Sequence, residues 1–256
     1  MSGVRNLPAV EETGPFTLTV LGCSGTYAGP GDACSGYLVR TASTTVVVDL
    51  GSGALANLQR HTGIVDLDAV VLTHEHPDHW LDLPLLRNAL RYVFDVGGLP
   101  VHGTAGTERL ARSMMAELAP TFDWHTIDAR STVTIGDIRF AFGETDHPVE
   151  TLAVRAEARG RTLLYSADTG AGWRPEPLAD GVDTLLCEAS FAPDDEDSFQ
   201  HLSARQAGAY AAGMDAGRLL LTHVPPGVDR GGQRARAAAA YAGDVGVVAV
   251  GDTIAV

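Results

Sequence analysis

The chain has 256 residues, 45% of them hydrophobic and 20% charged, which suits one α/β domain or two small ones and excludes a disordered polypeptide. Lys and Arg number 18 against 32 Asp and Glu; the net charge of −14 repels phosphate backbones at long range and counts against a general nucleic-acid binder. No apolar run is long enough to span a membrane, and Cys23, Cys34 and Cys187 make no disulfide framework, so reduced thiols in a cytoplasmic protein are expected.

Residues 1–15 lack the apolar core of a secretory signal and read as a loose arm; 16–256 read as a single domain. Phe16–Leu21 predicts a strand that ends in the turn Gly22-Cys23-Ser24-Gly25. Tyr37–Arg40 and Thr45–Val48 are the next strands, the second buried on both faces because its valines show no alternation. Asp49-Leu50-Gly51-Ser52-Gly53 ends it, and a helix to about His61 follows. Asp68–Leu72 is a buried strand that runs into a histidine-rich turn. Leu83–Phe94 reads as a helix with Leu83, Leu86, Leu90 and Val93 on one face. Leu99–His102 is a short strand, and Thr107–Leu118 a helix stopped by Pro120.

The second half repeats the plan. Strands are expected at Thr132–Ile135, Ile138–Phe142, Thr151–Ala156, Thr162–Ser166, Thr184–Cys187 and Leu219–Thr222, with helices at Ser203–Ala212 and Gln233–Tyr241. Strand-rich halves punctuated by helices imply an α/β protein of two packed sheets with helices outside.

The strongest signal is His74-Glu75-His76-Pro77-Asp78-His79, directly after an apolar strand. A strand end is a rigid platform, and the turn after it can aim several side chains at one point. Imidazole nitrogens and carboxylate oxygens are the donors that Zn, Mn and Fe accept. One cluster cannot complete a site. Further ligands are expected at other strand ends, and His147, Asp168 and His223 each stand where a strand gives way to a loop with Gly or Pro. Glu75 is read as lying behind the ligands or exposed, and Asp146 as capping its loop.

A motif of the form HxHxDH, then a distant His, an Asp after a strand and a last His resembles the metallo-β-lactamase fold hydrolases from Thr17 to the C-terminus. The resemblance implies a four-layer αββα fold, two mixed sheets packed face to face with helices outside. It also implies two divalent ions, zinc first, with manganese or iron also compatible. One ion would take His74, His76 and His147, the other Asp78, His79 and His223, and Asp168 would bridge them. Asp78 would also hold the proton of the attacking water.

Glu188 in Cys187-Glu188-Ala189-Ser190 and His201 in His201-Leu202-Ser203-Ala204 resemble the ribonuclease Z branch. There the His is the proton donor to the leaving oxygen and the Glu orients it. A ribose 3′ alkoxide is a poor leaving group and must be protonated as it departs. That branch also carries a basic arm for tRNA between the positions of His147 and Asp168, where this chain has only 20 residues, filled by two strands and a turn. The acidic run Asp194-Asp195-Glu196-Asp197, read as a solvated loop, would repel a long polyanion.

The chain thus resembles compact cyclic-nucleotide phosphodiesterases of this superfamily, which implies hydrolysis of a 3′,5′-cyclic nucleotide, cyclic AMP first, to the 5′-nucleotide. The partner expected is a small phosphodiester, with no long nucleic acid and no membrane; a homodimer is expected by analogy with the family alone. The rivals are a ribonuclease of the same branch, a lactonase or thioesterase, and a non-enzymatic metal protein. Arg side chains or backbone N–H groups near Ser24-Gly25 are candidates to touch the phosphate. Tyr27, Tyr37, Trp80 and Trp173 are candidates for stacking on a base. His61, His102 and His125 read as structural or surface residues.

Overall fold

Valines 46, 47 and 48 are all buried because they divide their side chains between two cores. A computed structural model describes residues 14–191, 196–197 and 199–256. The expected loose arm lies outside the described residues but for Gly14 and Pro15.

In chain order the first half contains β1 (Thr17–Gly22), β2 (Gly36–Arg40), β3 (Thr45–Leu50), α1 (Ala54–Leu58), β4 (Ala69–Leu72), α2 (Leu83–Ala89), β5 (Leu99–Gly103), α3 (Ala105–Met115) and β6 (Phe122–Thr126). The second contains β7 (Thr132–Ile135), β8 (Ile138–Glu144), β9 (Leu152–Ala158), β10 (Arg161–Tyr165), β11 (Thr184–Glu188), α4 (Ala204–Gly213), β12 (Arg218–Thr222), α5 (Arg230–Ala240), β13 (Asp244–Val247) and β14 (Thr253–Ala255).

Two seven-stranded sheets result, ordered β14-β1-β2-β3-β4-β5-β6 and β13-β12-β11-β10-β9-β8-β7. Each has antiparallel pairs at one end and parallel pairs at the other, so both are mixed. Strand alternation then builds the layers. Leu18, Val20, Val46 and Val48 meet Phe140, Val154 and Leu163 between the sheets. Val47 and Leu72 point the other way, onto Leu55, Leu83 and Ala111 of the first helices. Leu164, Leu185 and Leu219 pack on Ala207 and Ala211 of α4 and Ala237 of α5. Three cores make four layers, the expected αββα arrangement. Full burial of each such Val or Leu contributes roughly 1.5–3 kcal/mol. No helix among the described residues is long and apolar enough to cross a membrane.

Two departures have physical causes. The strands β6, β13 and β14 were not expected; each is a sheet edge and mostly exposed or half-buried, so no apolar pattern marks it. The helix expected over Leu83–Phe94 is α-helical only to Ala89 and continues as one π-turn, Leu90–Phe94. The wider turn breaks the 3.6-residue period. Leu83, Leu86 and Leu90 are buried as expected, but Val93 is 74% exposed. The three cysteines are buried and free of disulfides.

Candidate metal centre

The strands β8, β10, β11 and β12 run in one direction and end at the same edge of their sheet. The residues that follow them are Asp146-His147, Asp168, Ser190 and His223; Glu188 is the last residue of β11. Across from them β4 ends at Leu72, and His74 and a 3₁₀ turn, Pro77–His79, follow it; the first position of that turn suits proline because it needs no N–H donor. Carboxyl ends of strands are where open sheets bind ligands. Asp49, Ala167 and His223 hold left-handed backbone, at φ 57°, 51° and 53°. Such strain costs on the order of 1–3 kcal/mol per residue and clusters at functional sites. Gly51 is needed for close approach, since a Cβ there would lie 1.9 Å from the Asp78 carbonyl.

The sequence-predicted residues converge in two groups. One atom from each of His74, His76, His147 and Asp168, and one from each of Asp78, His79 and His223, lie within 4.8 Å of one another in their group. Asp168 reaches both: its Oδ2 is 3.6 Å from His74 Nε2, and its Oδ1 is 3.3 Å from His79 Nε2 and 3.4 Å from His223 Nε2.

Outer partners set which nitrogen faces in. Thr73 Oγ1 gives its proton to Asp49 Oδ2 at 2.9 Å, so it accepts from His74 Nδ1 at 3.0 Å. His79 Nδ1 donates to Asp49 Oδ2 at 2.7 Å and His147 Nδ1 to the Gln200 carbonyl at 3.0 Å. Ser190 Oγ donates to Glu188 Oε2 and therefore accepts from His223 Nδ1, both at 2.8 Å. Four imidazoles are thus held with Nδ1–H outward and the Nε2 lone pair inward, as metal-ligating histidines are. The inner atoms face each other: His147 Nε2 lies 3.0 Å and His74 Nε2 3.2 Å from His76 Nδ1. Lone pairs that converge this way repel unless a cation sits between them. Asp168 Oδ1 is buried without a hydrogen-bond partner. An orphaned acceptor inside a ring of imidazoles fits divalent ions.

Electrostatics agree. Burial, helped by His79, keeps His74 well below the usual imidazole range and so neutral. Burial opposes the Asp168 charge, but His223 and His79 around it hold the carboxyl well below the usual carboxylate range. Asp78 likewise stays ionised against burial through its hydrogen bond with His223 and the charge of His79.

The second constellation also forms. Glu188 is fully buried and takes four donors: Thr169 N at 2.7 Å and His201 Nδ1 at 2.9 Å on Oε1, Ser190 Oγ at 2.8 Å and Leu202 N at 3.2 Å on Oε2. His201 lies between His147 and His223, with ring centroids 5.2 and 5.5 Å away. Burial alone would lower its pKa, but the Glu188 hydrogen bond and charge outweigh it and push the imidazole up to about 9. His201 does not cap α4; Ser203 and Gln206 do that with a capping box.

His76, His147, Ser190 and His201 line a cleft of about 880 Å³. Other expectations resolve beside it. Glu75 pairs with Arg109 at 2.8 Å, behind the ligands. Asp146 accepts from Gly172 N at 2.8 Å and so caps its loop. The Ser24 N–H is used by the Ala33 carbonyl, and the N–H aimed at the site is that of Thr26, 2.8 Å from Asp78 Oδ2. Tyr37, Trp80 and Trp173 are core residues and cannot stack on a ligand; Tyr27 is 59% exposed. The aromatic rings of the cleft are instead Phe191 and Phe199. His102 and His125 stack on neighbouring strands, away from the centre. Asp194 and Asp195 lie outside the described residues. Asp197 is exposed and Glu196 half-buried, and they reach Gln206 and Arg205 of α4, respectively.

Sequence reasoning gave Asp49 and Ser190 no role. Asp49 is fully buried and accepts from Thr73 N, Thr73 Oγ1, His79 Nδ1 and Tyr165 Oη. The signal for it was present: an acid followed by Leu-Gly at the end of an apolar strand. Asp49→Ala is expected to weaken metal binding about 10–100-fold. It also strips a buried imidazole of its charged partner, at about 3–5 kcal/mol of stability. Chelator competition and thermal melting of the metal-free protein read the two effects separately.

Known proteins resemble this chain over most of its length. The model of a beta-lactamase superfamily domain matches residues 44–224. The Mycobacterium tuberculosis protein Rv1339 is 36% identical over 251 residues, covering 93% of this chain and 92% of its own length. The Bacillus subtilis "Probable metallo-hydrolase YhfI" is 33% identical over 218 residues, 81% of this chain and 86% of its own length. The crystal structure of YhfI superposes with a TM-score of 0.87 at 28% identity, over 94% of this chain and 99% of that one. A ribonuclease Z of Mycobacterium bovis is 26% identical over 264 residues, 90% of this chain and 94% of its own.

Proposed function

The chain belongs to the beta-lactamase superfamily and is a metal-dependent hydrolase, and from that premise we propose that it cleaves a 3′,5′-cyclic nucleotide, cyclic AMP first, at the 3′ oxygen to give the 5′-nucleotide. The observation that carries this reading is the ion pair of buried Glu188 with half-buried His201 beside the two ligand groups. A carboxylic ester can expel its leaving group with less help, whereas a ribose 3′ alkoxide needs a proton at the moment of departure. Long RNA fits poorly: among the described residues that line the cleft there is no Lys or Arg, while Asp146 and Asp197 do line it. About 880 Å³ accommodates a mononucleotide.

His74, His76 and His147 would hold one divalent ion and Asp78, His79 and His223 a second, with Asp168 within reach of both groups; donors so rich in imidazole suit zinc. When bound, such ions withdraw charge from the phosphate and supply a nucleophilic water at neutral pH. The protein's own residues do the rest. Asp78, ionised and anchored by the Thr26 N–H, accepts the proton of the attacking water. Attack in line with the 3′ oxygen forms one P–O bond and breaks the other. His201, its Nδ1 fixed by Glu188, gives the proton on Nε2 to the departing oxygen. The base lies against Phe191 and Phe199, the latter 75% exposed at the mouth.

The test is turnover of a panel by metal-loaded protein: 3′,5′-cyclic AMP and GMP, 2′,3′-cyclic AMP, bis(p-nitrophenyl) phosphate, a tRNA precursor and a lactone. Release of 5′-AMP from the 3′,5′-cyclic substrate is the expected result. Activity confined to the lactone or to the tRNA precursor replaces this reading with the esterase or the ribonuclease.

A further inference from the structure

Ser190 follows β11 and sits between the two halves of the site. Its hydroxyl donates to Glu188 Oε2 and accepts from His223 Nδ1, both at 2.8 Å. Glu188 Oε1 in turn accepts from His201 Nδ1 at 2.9 Å. One chain of hydrogen bonds therefore runs from a residue of the second ligand group to the imidazole placed as proton donor. A further contact of the hydroxyl, with the His223 carbonyl, is longer at 3.2 Å.

The surroundings fix this hydroxyl. Ala189 N donates to the Thr222 carbonyl at 2.9 Å and Phe191 N to the Leu202 carbonyl at 3.1 Å. Gln233 of α5 is fully buried, and its Nε2 donates to the carbonyls of Ala189 and Phe191 at 3.1 and 2.8 Å. A buried amide that spans the two carbonyls flanking one serine holds that serine from a helix outside the site. Gly25 closes on the His223 ring, since a Cβ there would lie 2.8 Å from Nδ1. Among the described residues no other side chain is hydrogen-bonded to His223 Nδ1.

We propose, on the phosphodiesterase reading above, that Ser190 is a positioning residue that joins the second ligand group and the proton donor into one unit. The same oxygen turns the His223 Nε2 lone pair inward and keeps the Glu188 carboxylate aimed at His201. A hydroxyl can do both because it donates and accepts at once. Threonine keeps both capacities and alanine neither. Glu188 makes no hydrogen bond to a residue of either ligand group. A change at Glu188 therefore reaches metal affinity chiefly through this hydroxyl, and the coupling is reciprocal.

The test measures Zn²⁺ affinity of the full chain by chelator competition. Ser190→Ala should bind about 10–100-fold more weakly, and Ser190→Thr should restore most of the loss. Glu188→Gln alone should weaken binding about tenfold, and much less when added to Ser190→Ala. At saturating Zn²⁺, Ser190→Ala should lower turnover of 3′,5′-cyclic AMP roughly tenfold more than that of bis(p-nitrophenyl) phosphate, whose leaving group departs without a proton. Ser190→Thr should close that gap. Unchanged affinity in Ser190→Ala, or a Glu188→Gln loss equal in both backgrounds, overturns the proposal. Equal losses on the two phosphodiesters overturn the link to the proton donor. A wild type that binds Zn²⁺ and leaves the cyclic nucleotide intact overturns the substrate reading instead, while the affinity cycle still decides the role of Ser190.

Discussion

Replacing His201 with alanine is expected to lower kcat by ~10²–10⁴-fold, the usual worth of a positioned general acid, with the metal content unchanged. The imidazole is fixed from behind by Glu188 at 2.9 Å and presents its other nitrogen toward the cleft. It also lies within reach of Asp168 and His223. Metal analysis therefore accompanies the kinetics. Loss of an equivalent of metal would make His201 a ligand, and unchanged turnover would remove it from the reaction.

The sign of the pH dependence follows from the same pair. The acid form of His201 persists up to about pH 9 because Glu188 outweighs burial. Activity that needs this proton falls as pH rises through the basic limb. Bound dications act against the charge, so the limb of the loaded enzyme lies below that value. Glu188→Gln removes the carboxylate charge while keeping an acceptor, and should move the limb to still lower pH. In the metal-free protein the pair's contribution to stability is complete below the ordinary imidazole value of 6.5 and is lost as pH rises through about 9.

Asp168→Ala should have the largest effect on metal binding. Its two oxygens face different ligand groups, so one substitution damages both. Loss of an outer partner costs 10–100-fold, and loss of the bridging group is expected to exceed ~100-fold. Turnover should become undetectable. In the wild type, metal at 100 times its Kd adds about 2.7 kcal/mol, a rise in Tm of roughly 5–10 °C for a chain of this size. Asp168→Ala should show almost none of that rise. A variant that still gained the full shift would show that Asp168 is not a ligand.

Much of this centre was legible before folding. His74 to His79 fall in six residues on one turn, so their convergence is local and the spacing suffices. His147, Asp168 and His223 could be found because each stands where an apolar strand ends. Glu188 and His201 were nameable through their short motifs. The layers were legible too, since Val46 to Val48 show no alternation when both strand faces are buried.

What the chain alone could not decide depends on contacts between distant segments. The tautomers of His74 and His79 are set by Asp49, which reaches them only when β3 and β4 pair. Ser190 links Glu188 to His223 because β11 lies beside β12. Tyr37, Trp80 and Trp173 were as plausible against a ligand as Phe191 and Phe199, since residue type says nothing about depth. Edge strands β6, β13 and β14 owe their pairing to a neighbour and carry no apolar pattern of their own. Val93 obeyed the helical period and was turned outward by a π-turn. Local spacing is a property of the sequence, whereas burial, tautomer and edge pairing are properties of the packed fold.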